Sequence, residues 1–178
     1  MHSDLEKILF TPEQIQARVH ELGEKISADY AGKEIVTVGI LKGAIVFFAD
    51  LIREIKIPVK FDFMAASSYG ITTKTSGTVR ILKDIDTDIE NKHVIIVEDI
   101  IDSGLTLKYL KNNFEHRKAA SVKLCAMLNK PEGRRTDLTG DYIGFDVPDE
   151  FIVGYGLDYA SRYRNLPYIG VLKKSVYA

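Results

Sequence analysis

An α/β fold is predicted: a mainly parallel, twisted central sheet flanked by helices, with a smaller irregular hood over one end. Three observations predict it. From Ile35 to Leu128, short β-branched segments alternate with helical ones, the pattern of βαβ units. One of those segments, Val94-Ile95-Ile96-Val97, is continuously apolar, which suits a strand buried on both faces of a parallel sheet. Beyond Lys130 helical spacing gives way to turn residues and short strands.

The elements follow in order. The first clear one is a helix. Thr11 is a candidate N-cap, Pro12 fits the first helical position, and Gln14 stands three residues after the cap, a capping-box arrangement. Ile15, Val19, Leu22 and Ile26 recur at helical spacing, and Gly32 lies just past the end. Ile35–Leu41 reads as a strand and Ala44–Ile55 as a mostly buried helix. Val59–Ala66 is a second strand, 67–78 a polar loop and 79–82 a returning strand, together an antiparallel arm. His93–Val97 is a third strand, Thr106–His116 a helix and Val122–Leu128 a fourth strand. Short strands follow near 142–145, 152–155 and 168–172, all assigned to the hood. No repeat or low-complexity linker divides the chain, so 1–178 reads as one domain. Its core spans roughly 33–128 and its hood roughly 129–170, with an N-terminal contribution.

Composition narrows the function. Lys plus Arg is 24 and Asp plus Glu is 25, a formal net charge of −1. That balance argues against a protein held mainly by nucleic-acid phosphates. The single cysteine, Cys125, excludes an intramolecular disulfide and any Cys-based zinc cluster. It lies in an apolar run and reads as a buried structural thiol. Met1–Phe10 has no signal-peptide core, and no apolar stretch is long enough to span a bilayer. The expected setting is the cytoplasm.

In open parallel sheets, ligands bind beyond the carboxyl ends of the strands. After 93–97 the chain reads Glu98-Asp99-Ile100-Ile101-Asp102-Ser103-Gly104-Leu105-Thr106, expected as a loop. Its second half suits a phosphate. Gly104 permits a tight turn, and the amides of Ser103 to Thr106 open a helix N-terminus. Neither a Walker A loop nor a dinucleotide fingerprint is present. Glu98, Asp99 and Asp102 would repel a lone phosphate. They make sense beside a diol or a magnesium ion, since carboxylates accept from ribose hydroxyls and bind hard cations. A phosphate beside a diol is a ribose 5-phosphate. A bare Asp-Ser-Gly would otherwise be an acidic turn with a helix cap.

Val94 to Leu107 resembles the phosphoribosyl-diphosphate signature of type I phosphoribosyltransferases. More narrowly, the chain resembles their bacterial 6-oxopurine (hypoxanthine) branch over nearly all 178 residues. The resemblance implies the type I phosphoribosyltransferase fold. It implies that Glu98 and Asp99 hold the ribose hydroxyls or their magnesium ion. Asp102, beside the ribose, would be general base at purine N7. Ser103, Gly104, Leu105 and Thr106 would bind the 5-phosphate. Leu41-Lys42-Gly43 matches the pyrophosphate loop, often with a cis peptide between Leu41 and Lys42; taken alone it is a strand-to-helix turn with a solvated lysine. Ser67-Ser68-Tyr69-Gly70 matches a lid, although composition fits a hairpin tip equally well. Lys130 matches the donor to the purine 6-oxygen, Phe151 the ring that stacks on the base, and Ile152 the backbone that reads its edge. Asp158 matches a base-site residue linked to a second magnesium ion, and Arg164 a pyrophosphate contact.

The implied reaction moves a 5-phosphoribosyl group from phosphoribosyl diphosphate to hypoxanthine or guanine, with Mg²⁺ as cofactor. The implied assembly is a homodimer or homotetramer, with neither nucleic acid nor membrane as partner. No histidine falls within these segments, which argues against a His-based triad. Two other readings stay open: a phosphoribosyltransferase for xanthine or another base, and a nucleotide-sensing regulator on the same fold. Lys130 disfavours adenine, whose exocyclic amine would face another donor.

Overall fold

A computed structural model describes residues 2–69 and 78–178. In chain order the elements are β1 (Leu5–Phe10), α1 (Pro12–Asp29), β2 (Ile35–Leu41), α2 (Ile45–Glu54), β3 (Val59–Tyr69), β4 (Thr78–Lys83), β5 (His93–Ile101), α3 (Leu105–His116), β6 (Ser121–Asn129), β7 (Tyr142–Asp146), β8 (Ile152–Val153), β9 (Ile169–Leu172) and α4 (Lys174–Tyr177). A single 3₁₀ turn, Pro131–Gly133, follows β6.

The main sheet runs β4-β3-β2-β5-β6-β7. All its pairings are parallel except β3 with β4. The chain passes from β2 outward to β3, then crosses to the other side of β2 to lay down β5. The strand order therefore reverses between β2 and β5, and that reversal opens a crevice at their carboxyl ends.

Both faces of the sheet are covered. Ile95 and Val97 pack into a layer with Phe47, Phe48 and Leu51 of α2 and Ile15, Val19 and Ile26 of α1. Val94 and Ile96 face the other way, onto Leu107, Leu110 and Phe114 of α3. The unbroken apolar run of β5 thus serves two cores at once. Helix α1 starts on the expected capping box: Thr11 N–H donates to the Gln14 side chain (2.9 Å) and Gln14 N–H to Thr11 Oγ1 (3.3 Å).

Three sequence expectations need correction, and one element escapes the sequence reading. Glu98 and Asp99 lie on β5, not in the following loop, because the ladder to β6 continues to Ile101 opposite Asn129. Only residues 102–104 form the connection to α3. Ser67, Ser68 and Tyr69 likewise belong to β3, paired with β4 as far as Tyr69 opposite Thr78. Gly70, the last residue of the expected lid, lies outside the described residues. Strand β7 pairs parallel to β6 in the main sheet rather than in the hood, and Tyr142 of β7 packs into the α1/α2 core layer. Finally, Leu5–Phe10 is a strand. It pairs antiparallel with β9, and β9 with β8, so the hood is a three-stranded sheet closed by the N-terminal segment.

Candidate active site

The carboxyl ends of β2 and β5 and the start of α3 enclose a cleft of about 260 Å³, lined among others by Leu41, Glu98, Asp99, Asp102, Ser103, Gly104 and Thr106. The structure thus gathers the expected acidic and phosphate-loop residues around one space. Leu105, beside it, is partly exposed at the first position of α3. The Leu41–Lys42 peptide is cis, and Lys42 is exposed at the tip of that turn.

Glu98 and Asp99 are neighbours in sequence and in ionisation. Loss of solvent raises the Glu98 carboxyl well above the ordinary carboxylate range, and the Asp99 charge raises it further. Burial also raises Asp99, while hydrogen bonds from Glu98 and from the Ile100 amide, and the Arg164 charge, pull the other way. Two carboxylates so placed share a proton or gather a cation. The donor set suits a hard divalent ion, which takes oxygen ligands from one or two carboxylates and completes its shell with substrate and water. No group of three or more His, Cys, Asp or Glu side chains forms a cage among the described residues.

Gly104 caps α3 with φ +78°, a left-handed conformation that glycine adopts without steric cost. The helix therefore begins abruptly, and its first amides face the cleft side of the loop, where a helix dipole favours an anion. The Leu105 N–H reaches back toward Ser103 Oγ (3.4 Å).

Asp102 stands apart from the acid pair. Its side chain is 55% exposed, and Lys130, only 12% exposed, holds Nζ 4.0 Å from Asp102 Oδ2. Lys130 Nζ also donates to Glu150 O (3.1 Å) and lies 3.5 Å from Asp149 Oδ1. One lysine thus links the end of β6 to the loop before β8, where Phe151 sits. The Phe151 ring stacks on Tyr177 of α4 (centroids 4.8 Å apart) and meets the edge of Tyr159 (5.3 Å). Ile152 is buried and paired with Val171.

The hood reaches the β2 turn through a glycine pair. Gly156 is packed so closely on the Gly43 carbonyl that a methyl on either residue would overlap its neighbour, for Gly43 the Asp99 carboxylate. Arg164 donates to Gly156 O (2.6 Å) and pairs with Asp158 (2.7 Å), whose other oxygen accepts the Ser161 N–H (2.8 Å). Asp158 therefore anchors Arg164 and does not join Glu98 and Asp99 in one cluster.

Several residues escaped the sequence reading. Lys7 of β1 pairs with Glu150 (3.0 Å), Tyr177 backs Phe151, and Arg134 lies under the 102–104 loop. None carries a local motif; only their tertiary positions reveal them.

This combination of sheet, acid pair and helix start is chemically suited to a phosphorylated ribose. Residues 7–160 match the family model of the phosphoribosyl transferase domain. The chain is 54% identical to a hypoxanthine-guanine phosphoribosyltransferase of Bacillus subtilis, over 99% of this chain and 98% of that one. A crystal structure of a hypoxanthine phosphoribosyltransferase from Staphylococcus aureus superposes with a TM-score of 0.97 at 48% identity, covering 100% of this chain and 97% of that one. A second, a hypoxanthine-guanine phosphoribosyltransferase from Bacillus anthracis with HEPES in its active site, gives a TM-score of 0.91 at 54% identity, over 95% and 99% of the two chains. The chain belongs to the phosphoribosyltransferase family, in its hypoxanthine-guanine branch. Among the described residues, no helix is long and apolar enough to cross a membrane.

Proposed function

We propose that this enzyme transfers the 5-phosphoribosyl group of phosphoribosyl diphosphate to N9 of hypoxanthine or guanine. The C1′–oxygen bond to pyrophosphate breaks, and its electron pair leaves with pyrophosphate. A bond from N9 to C1′ forms, and the purine loses a proton. The products are IMP or GMP and pyrophosphate. The observation that carries this reading is the shared cleft: the Glu98–Asp99 pair and Ser103, Gly104 and Thr106 line one space.

The roles follow from position. Ser103 to Thr106 bind the 5-phosphate by amides and hydroxyls. Glu98 and Asp99 accept from the ribose hydroxyls. Magnesium, held with them, would neutralise charge on the diphosphate. Lys42, at the tip of the β2 turn, and Arg164 contact the departing pyrophosphate. Lys130 donates to the purine 6-oxygen; to do so it swings from Glu150 O and Asp149 toward the base. Phe151 presents its free face to the ring. Asp102, beside Lys130, takes the purine proton. Ser67, Ser68 and Tyr69 belong to the arm that covers the reacting centre and keeps water from it.

The test offers the enzyme phosphoribosyl diphosphate, Mg²⁺ and an equal mixture of hypoxanthine, guanine, xanthine and adenine, with products separated by chromatography. IMP and GMP are expected, lost without Mg²⁺. Asp102→Asn is expected to lower turnover by about 10²-fold or more. Full turnover by that variant would remove Asp102 from proton transfer. Nucleotide from adenine alone would overturn the 6-oxopurine assignment of this pocket, and nucleotide from xanthine alone would overturn its assignment to hypoxanthine and guanine.

A further inference from the structure

Arg134 follows the 3₁₀ turn and reaches beneath the start of the 102–104 loop. Its guanidinium donates to four oxygens. Nε bonds Asp102 O (2.9 Å), Nη2 bonds Ile101 O (3.3 Å) and Asn129 Oδ1 (2.5 Å), and Nη1 bonds Leu138 O. All four acceptors are neutral. Of the acids nearby, Asp137 pairs with Lys108 (2.5 Å), Asp146 accepts from the Asn129 amide (2.6 Å), and the Asp102 carboxylate lies 4.0 Å from Lys130 Nζ. Among the described residues, Arg134 forms no ion pair with a carboxylate, so its charge is left to act on the loop above it.

The backbone bonds have a directional consequence. In a trans peptide, the carbonyl and the next residue's N–H point to opposite sides. Arg134 holds the Asp102 carbonyl on the far side of the loop, which turns the Ser103 N–H toward the cleft. Arg135 N–H holds the Ser103 carbonyl in the same way (2.9 Å), which turns the Gly104 N–H toward it too. Among the described residues, neither of these N–H groups has a protein acceptor. The stem of Arg134 also packs directly under Gly104, where a Cβ would stand 3.1 Å from Arg134 Cδ.

We propose that Arg134 is a positioning residue of the 5-phosphate cradle: it pins the carbonyls of the loop so that two amides face the phosphate, and it places an unneutralised cation behind them. This rests on the assignment of residues 103–106 to the 5-phosphate. Lysine could supply the charge but not the planar fork that spans four oxygens.

The test compares Arg134→Lys, Arg134→Gln and Ser103→Ala with the parent enzyme. It measures KM for phosphoribosyl diphosphate, KM for hypoxanthine, the Kd of ribose 5-phosphate, and thermal midpoint. Arg134→Lys is expected to raise KM for phosphoribosyl diphosphate and the ribose 5-phosphate Kd about tenfold, with the hypoxanthine KM within about threefold. Arg134→Gln, lacking charge and fork, is expected to lose more. Ser103→Ala is expected to weaken the same two constants, since a hydroxyl of the cradle is gone. If Ser103→Ala weakens them and the Arg134 variants do not, the proposal fails while the cradle stands. If none of the three does, the cradle assignment itself fails. Loss of the folded state in both Arg134 variants, or an equal rise in both KM values, would make the role purely structural and overturn the proposal.

Discussion

Replacing Gly104 by alanine tests the phosphate loop most directly. Gly104 holds φ +78° at the N-cap of α3. An alanine there carries the left-handed penalty of about 1–2 kcal/mol. Its methyl would also stand 2.5 Å from Thr136 Oγ1 and 3.1 Å from Arg134 Cδ, an overpacking that typically adds about 1–3 kcal/mol. The total is about 2–5 kcal/mol, and the short loop relaxes more cheaply than the sheet and helix it joins. Only the native loop conformation aims its amides together, so a penalty of about 2 kcal/mol weakens the phosphate substrate about 30-fold. Steady-state kinetics with each substrate varied in turn provide the assay. KM for phosphoribosyl diphosphate is expected to rise at least about tenfold, with KM for hypoxanthine little changed. The double variant Gly104→Ala, Thr136→Ala removes the closer of the two steric contacts and leaves the Arg134 contact and the backbone part, so it should recover part of the loss. An unchanged KM for phosphoribosyl diphosphate in Gly104→Ala, with the protein folded, would refute the geometric argument. Full recovery in the double variant would refute its backbone half.

Lys130→Gln removes the charged donor beside Asp102 and should raise the hypoxanthine KM about 10–100-fold while leaving that for phosphoribosyl diphosphate within about threefold; a uniform rise in both would deny Lys130 a role in base recognition. Glu98 is held above its ordinary value of 4.5 by burial and by Asp99, so its contribution to stability is present below that value and is lost as pH rises through the folded value. Without divalent cation, the melting temperature of the parent should therefore fall relative to Glu98→Gln as pH rises above about 4.5, and Mg²⁺ should narrow the gap; parallel melting curves would contradict this. Asp62 behaves oppositely. Burial disfavours its charge, but the amides of Phe63, Asp86 and Thr87 (2.7–2.8 Å) outweigh it and bring the carboxyl down from 3.8 to about 2. That shift stabilises the fold by roughly 2 kcal/mol above pH 4 and is lost as pH falls toward 2. Asp62→Asn should flatten that acid limb in pH-dependent denaturation, and an unaltered limb would assign it to other groups.

Local patterns in the chain determined a large part of this protein. Helix α1 was legible because its cap, proline and apolar spacing all act within a few residues. The burial of β5 was legible because a strand covered on both faces needs four apolar residues in a row, and 94–97 has them. Much of the candidate site was legible for the same reason: the acid pair, Asp102 and the glycine of the phosphate loop are contiguous on one strand–turn–helix segment.

Tertiary structure decided what depends on partners far along the chain. Strand length is set by pairing, so β5 keeps Glu98 and Asp99 because β6 runs beside them, and β3 keeps Ser67 to Tyr69 because β4 does. Leu5–Phe10 is a strand only because β9 lies alongside it, more than 150 residues later. The charges of the acid pair depend on how deeply the sheet buries them. Arg134 shows the limit most plainly: its role rests on carbonyls of residues 101 and 102, more than 30 residues back along the chain. A backbone carbonyl leaves no mark in the residue code, so only the folded chain could bring those oxygens to the guanidinium.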